Sequence, residues 1–492
     1  MLPSLQIRRT TRAMLDIFLF LFVLGMLLVG LRKPFVWVLA YLYIDIIAPQ
    51  KIGWILMPIL PVSLIAFVAA FAGYLLADSK EGSRFTLRQW LLVALLIYCG
   101  VTTLGADFPK EAAEKWSWVW KALLFAIFLP LTLRTKLRIE AAIIAMVLSV
   151  GAIIISGGIK TATGGGGYGT LYFFVNDNTG IYEGSIISCV AIAIIPLILW
   201  LAKYGTVFPT DWRVKLFAGA LIFAALLIPV GTEARTGLLC AGVLGALMLR
   251  TVKHRVLYSA VAGFLMLVAI PFLPQSFTER MGTIQGHEGD QSASTRVAVW
   301  EWTLDYVKQN PLGGGFDAYR GNSFTYNTRV VSTEGGVTSV STQPVTDKGR
   351  AYHSSYFEML GEQGWPGLGL WLLLHGLGIW QMERLRSRYI RLIRQDPSTA
   401  AEHGWKAPLA SALQMAQIVY LVGSLFVGIA YQPFILMFIG LQCALWSYLN
   451  RVDSPVKKRF RPRSGRAAAG DSAGAGSDAV AAASPALHQT PQ

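Results

Sequence analysis

The stretch IEAAIIAMVLSVGAIIISG, residues 139–157, decides the fold class. Apart from Glu140 near its start it is apolar or small throughout, and about 20 such residues in a helix cross a bilayer. Arg134, Lys136 and Arg138 stand immediately before it. An apolar run with cations at one end reads as a transmembrane helix whose basic end faces the cytoplasm. The same pattern recurs on both sides of this stretch. Toward the N-terminus the predicted spans are Met14–Leu31, Pro34–Ala48, Ile55–Leu76, Leu87–Leu104 and Trp116–Leu133, and the quoted stretch, Ile139–Gly157, follows them. Toward the C-terminus they are Gly180–Leu201, Val214–Val230, Thr236–Leu249, Val256–Leu273, Trp365–Arg384, Pro408–Ala430 and Pro433–Leu449.

The sequence therefore predicts an all-α polytopic membrane protein. Composition agrees: 54% of residues are hydrophobic and 14% charged, where a soluble chain carries about a quarter charged. Thirteen full crossings would leave the basic N-terminal segment outside. Pro34–Ala48 is the natural short or re-entrant element, which gives about 12 transmembrane helices with both ends inside. Ile7-Arg8-Arg9 leads into its apolar stretch without a persuasive cleavage site, so no signal peptide is predicted.

A net charge of +15 could suggest nucleic acid, but its distribution argues against that partner. The cations fall in short connections: Arg134 to Arg138, Arg250 to Arg255, Arg384 to Arg394, and Arg451 to Arg466. Anionic membrane lipid is the partner this arrangement fits. Cys99, Cys189, Cys240 and Cys443 all lie in apolar segments and read as small core residues rather than disulfides or metal ligands.

Four regions follow. Residues 1–273 form an N-terminal transmembrane bundle, 274–364 a loop on the outer face, 365–449 the C-terminal transmembrane helices, and 450–492 a basic tail. Beyond Arg466 the tail is Ala, Gly, Ser and Pro, which predicts disorder. Thr163–Tyr168 (TGGGGY) reads as a flexible outer loop, because no Lys-Ser/Thr follows to make a phosphate-binding P-loop.

An insertion as long as 274–364 is expected to be functional. Val297, Trp300, Leu304 and Val307 fall at helical spacing, stopped by Pro311 and Gly313-Gly-Gly315. A second helix is predicted from His353 to Gln363, ended by Gly364. Between them, Arg320 to Arg350 is rich in Ser, Thr, Gly and Asn and reads as mobile.

Three side chains with chemistry gather on this face. Arg235 lies at the outer mouth of a span, Arg296 at the start of the first loop helix and His353 at the start of the second. Two guanidiniums can each grip a phosphate with two parallel hydrogen bonds, and a histidine can take a proton from a hydroxyl. Each also has an ordinary reading: Arg235 pairs with Glu233, Arg296 is a solvated loop residue, and a lone loop histidine does nothing. Lys121, inside an apolar helix, is a fourth candidate for a diphosphate, against plain snorkelling to the headgroups. His287, Glu288 and Asp290 match no common metal-ligand spacing, so no metal and no cofactor is expected.

The pair His353-Ser354, then nine intervening residues, then Gly364-Trp-Pro-Gly367, resembles the loop signature of O-antigen ligases. The run Asp290-Gln-Ser to Arg296, Trp300 and Pro311-Leu-Gly-Gly-Gly315 is similar to the preceding segment in the wider ligase and polymerase superfamily. Thr232-Glu-Ala-Arg235-Thr-Gly resembles that superfamily's arginine at the outer end of a mid-chain span. Leu31-Arg-Lys-Pro-Phe-Val and Asn176-Asp-Asn-Thr look more like an O-glycosylation ligase subgroup found beside exosortase systems.

The resemblance implies a GT-C-like glycosyltransferase of the bacterial inner membrane with its site facing the periplasm. Its donor would be an undecaprenyl (polyprenyl) diphosphate-linked glycan, transferred without metal and with inversion. His353 would be the general base, while Arg235 and Arg296 hold the diphosphate. The acceptor could be lipid A core, a protein hydroxyl or another glycan, the last making the enzyme a polymerase. Ser355, two residues after the histidine, is smaller than the polar residue the family often has there. A lipid-linked sugar flippase is the rival class, but it would need charge along a path through the span centres, and these spans carry little.

Overall fold

The apolar runs form helices that begin where the sequence supplies caps. Thr86 and Gln89 form a reciprocal capping box, while Thr135, Glu183 and Asp211 accept hydrogen bonds from the first-turn amides that follow them. The structure, a computed structural model, describes residues 2–165, 171, 173, 180–250, 252, 254–269, 277–278, 291–334 and 337–453. Of the predicted features, the rest of the glycine loop (166–168), the 287–290 cluster and the tail beyond 453 lie outside these residues.

In chain order the helices are α1 (Leu2–Arg32), α2 (Phe35–Ile47), α3 (Pro49–Ile52), α4 (Val62–Leu76), α5 (Leu87–Leu104) and α6 (Pro109–Thr132). Next come α7 (Lys136–Ala162), α8 (Gly184–Ala193), α9 (Ile195–Tyr204), α10 (Trp212–Gly231), α11 (Arg235–Leu249) and α12 (Arg255–Ala269). Four further long helices span Gln291–Gln309, Ser355–Gln395, Lys406–Gly423 and Pro433–Val452. Six helices among the described residues are long and apolar enough to cross a membrane, and α2, α4 and α11 are shorter apolar ones. Large apolar side chains such as Phe22, Leu64, Ile97 and Phe223 point outward. That suits lipid as the surrounding solvent.

The two ends of the bundle are chemically distinct. At one end, Arg134 and Arg138 clamp Asp78 at 2.9 and 2.6 Å. Arg250 and Arg386 share Glu383 at the same end, and Arg451 donates to the carbonyls of Gly82 and Arg134. The other end carries the loop helices.

Between the ends, aromatic packing centres on Tyr41, against Phe67 and Phe125. The four cysteines are buried and free. The spans are less charge-poor than the sequence suggested. Arg88, fully buried, donates to Leu374 O and Gln442 Oε1, and Gln417 Nε2 lies 2.9 Å from His375 Nδ1. These bonds form a polar knot that ties α5 to three C-terminal helices, with Arg88 Nη1 and His375 Nε2 left unpaired.

Several expectations are corrected. The helix predicted over Ile55–Leu76 starts at Val62, because Pro58 and Pro61 keep the preceding residues in turns. Those turns are gathered by the buried Asp16 carboxylate, which accepts from the amides of Trp54, Ile55, Leu56 and Met57 at 2.6–3.4 Å. Gly180–Leu201 is divided at Ile194, just before Pro196.

More consequential is α2, which does not turn back. Its Phe35 lies beneath the Arg138 guanidinium at the basic end, while the carbonyl of Ile47 accepts from Tyr182 Oη at the opposite end. Thus α2 traverses the bundle, and α1 runs antiparallel to it, with Phe22 against Tyr43 and Leu27 O accepting from Trp37. The start of α1 therefore lies at the end opposite the basic one, against the arrangement with both termini on one side.

The loop segment expected to be mobile is a two-stranded antiparallel ladder, β1 (Ser323–Glu334) with β2 (Val337–Lys348), in register from Ser323 opposite Lys348 to Glu334 opposite Val337. Its polar composition concealed a high content of Thr and Val, β-branched residues that suit strands. The all-α expectation holds for the bundle and is amended by this hairpin.

Candidate functional site

Glycines position the site before any charged group does. In Pro311-Leu-Gly-Gly-Gly315, Gly313 and Gly315 have φ of 82° and 75°, in the left-handed region that favours glycine. The amides of Gly314 and Gly315 donate to the carbonyls of Gly361 and Glu362 at 3.0 and 2.9 Å, and Trp365 N donates to Pro311 O at 3.0 Å. The partner surface is the break at Gly364 (φ 63°, ψ −166°), where a Cβ would meet Pro311 O at 2.2 Å. The glycine-rich turn and the predicted helix stop are thus two halves of one joint. It marks off the short helix Ser355–Gln363 from the long apolar helix that follows.

A second joint fixes the first loop helix. Trp300 Nε1 donates to Tyr352 O at 2.9 Å, and its indole stacks on Phe357 with centroids 4.9 Å apart and rings 2° from parallel. Arg296 lies one helical turn before Trp300 and is thereby carried toward His353. It sits within the Gln291–Gln309 helix rather than opening it. His353 lies just outside its own helix, before the cap residue Ser354, with φ 48°.

Ser355 has a structural task. Its amide donates to Ser424 O at 2.8 Å, its hydroxyl donates to Val427 O at 3.0 Å, and the same oxygen accepts from Ile429 N at 2.9 Å. The start of the helix is pinned to the 424–429 connection.

His353 keeps an exposed side. Desolvation of its enclosed side, followed by the positive charges of Arg296 and Arg350, holds the imidazole below its ordinary pKa. The structure therefore unites Arg296 with His353 and adds Arg350, which sequence reading missed. Arg350 is fixed at the foot of the hairpin: its amide donates to Asn322 Oδ1 at 2.9 Å, and its Nε lies 2.9 Å from Asp347 Oδ2. Arg235 opens α11 at the same end of the bundle, after the left-handed Glu233, but is not among the charges acting on His353. Lys121 acts on Asp45 inside the bundle.

Sequence reading also missed the charges beneath His353. Lys115 Nζ lies 2.8 Å from Glu358 Oε1, 2.8 Å from Glu362 Oε1 and 3.7 Å from Asp317 Oδ1. Glu358 Oε2 accepts from Ala430 N at 3.0 Å, and Glu362 Oε1 from Asp317 N at 3.0 Å. One ammonium thus joins α6, both loop segments and the 424–432 connection. The available signal was the pair Glu358 and Glu362, one helical turn apart on a helix that also buries Met359 and Leu360. Among the described residues, no group of three or more His, Cys, Asp or Glu could hold a metal.

Comparison with known families divides the chain in two. Residues 14–206 match a family of unknown function (DUF5935), and residues 219–372 match the family described as O-antigen ligase. No curated protein matches the chain. The ligase match covers Arg235, Arg296, both halves of the glycine joint and His353, and it supports the O-antigen ligase/polymerase superfamily for this part of the chain.

Proposed function

We propose that this protein is a metal-independent, inverting glycosyltransferase that moves a glycan from an undecaprenyl diphosphate donor to an acceptor hydroxyl. The observation that supports the reading is the Trp300–Tyr352 hydrogen bond, which brings the Arg296 helix against the residue before His353, within the stretch that matches the ligase family. Ligase or polymerase chemistry in polysaccharide biosynthesis is what the family supports. Donor, acceptor and mechanism are our own assignment.

In the proposed step the acceptor oxygen attacks the anomeric carbon from the face opposite the diphosphate. The new C–O bond forms as the old one breaks, and the bonding pair leaves with the diphosphate. His353 takes the hydroxyl proton. A neutral imidazole is needed for this, and the neighbouring guanidiniums favour that form. Arg235 and Arg296 hold the diphosphate, whose charge rises as it departs, and guanidinium forks suit its paired oxygens. Lys121 completes the proposed set, deeper in the bundle. Lipid A core, a protein hydroxyl and a growing glycan all remain acceptors of this chemistry, the O-glycosylation subgroup corresponding to the second.

We place the Arg134–Arg138 end in the cytoplasm and the His353 end in the periplasm of a bacterial inner membrane, following the charge asymmetry. With α2 traversing, one crossing is added to the twelve expected. The regional boundaries at 273/274, 364/365 and 449/450 are retained as functional divisions, with the loop as the site-bearing one. Comparing glycoconjugates from cells with and without the protein by mass spectrometry tests the function. Loss of one glycosylated species supports it, and an unchanged profile refutes it.

A further inference from the structure

A cavity of about 400 Å³ opens beside the Lys115 cluster, between the outer turn of α6, the start of the Ser355 helix and the 428–432 connection. That size falls in the range of small-ligand sites. Its lining includes four carboxylates, among them Glu114 and Glu358, with Lys115 as the basic side chain, and also Trp118, Tyr431 and Gln432. Tyr431 is 2% exposed, and its hydroxyl points to the Gln363 side chain beneath the cavity wall.

The lining selects against two ligand classes. Phosphate is repelled by the excess of carboxylates, so the diphosphate belongs with the arginines instead. A metal ion would compete with Lys115, which already neutralises Glu358 at 2.8 Å and sits over the Tyr431 ring at 5.1 Å. What fits is a neutral group that donates and accepts hydrogen bonds all round its edge and has apolar faces. Carboxylates and Gln432 accept from its hydroxyls, Lys115 donates to them, and the half-exposed Trp118 offers a ring face. Glu358 lies in the first turn of the helix that begins two residues after His353.

We propose that this cavity is a carbohydrate subsite holding a neutral sugar ring of one of the two glycans brought to His353. Only the last clause rests on the transferase reading; sugar binding itself does not. The full-length protein in nanodiscs of neutral lipid is tested by saturation-transfer NMR and equilibrium binding with methyl glycosides of glucose, N-acetylglucosamine and glucuronic acid. The neutral glycosides are expected to bind, and the glucuronide more weakly. Trp118→Ala should weaken binding by about tenfold. Gly428→Val should do the same by filling space, since a Cβ there stands 3.4 Å from Glu358 Oε2 in ordinary contact. Both positions are exposed, so melting temperatures should hold.

His353→Ala should bind the neutral glycosides normally, which separates this site from the transfer step. Displacement of the bound glycoside by undecaprenyl diphosphate-linked glycan assigns the ring to the donor. Displacement by lipid A core assigns it to the acceptor. No binding of either neutral glycoside, glucuronide binding as tight as theirs, or unchanged binding in both cavity variants overturns the subsite. Displacement by neither glycan overturns its link to His353.

Discussion

Lys115 Nζ lies 2.8 Å from Glu362 Oε1, and the Glu362 side chain is wholly shielded from solvent. Burial alone would lower the amine's pKa, but Glu358, Glu362 and Asp317 outweigh it and keep Lys115 charged. Burial raises Glu362, and the ammonium pulls it back. Removing one partner of such a pair costs about 3–5 kcal/mol, because the other charge stays buried alone. Lys115→Met should therefore lower the melting temperature of the detergent-solubilised protein sharply, and adding Glu362→Gln should recover part of the loss. A Lys115→Met protein as stable as the parent would mean that the cluster does not hold the loop in place.

His353→Ala tests the proposed base. A positioned base contributes typically 10²–10⁴-fold to rate. The variant should reach the membrane at normal abundance, bind donor, and transfer at about a hundredth of the normal rate or less. Chelator should leave the parent rate unchanged. Near-normal transfer by the alanine variant would remove His353 from the mechanism.

The pH profile follows from the lowered pKa of His353. A base works only when neutral, so activity is lost as pH falls through its folded-state pKa. That acid limb should lie below the ordinary histidine value of about 6.5. Arg350→Gln deletes one of the two charges that depress the pKa, so the limb should move to higher pH while the plateau changes less. An acid limb that stays put in this variant would show that Arg350 does not tune the histidine.

Arginine geometry is separable from arginine charge. Arg235→Lys and Arg296→Lys keep the charge but lose the planar two-pronged contact, so each should impair transfer with protein abundance unchanged. Full activity in both lysine variants would reduce these residues to general surface charge.

Topology can be read by labelling. Because α2 crosses the bundle, cysteines introduced at Ser4→Cys and Asn450→Cys in a background lacking the native cysteines should react from opposite sides of the membrane. An impermeant maleimide added to the periplasm should modify the first alone. Modification of both from one side would restore the arrangement with an even number of crossings.

The sequence by itself determined the membrane class, the basic end and the three site candidates. Each of these is a local property: apolar length, a run of cations, or a motif such as His353-Ser354 with its spaced glycines. It also located both halves of the glycine joint, since Gly313, Gly315 and Gly364 occupy backbone conformations that few other residues accept. Tertiary structure alone decided that α2 passes through. A helix of 13 residues is ambiguous by length, and only the contacts at its two ends, Phe35 with Arg138 and Ile47 with Tyr182, fix its direction. The same holds for Lys115 and Glu362, which are 247 positions apart in the chain. No local pattern records such a distance, because the free energy that joins them arises only once packing has taken both out of water.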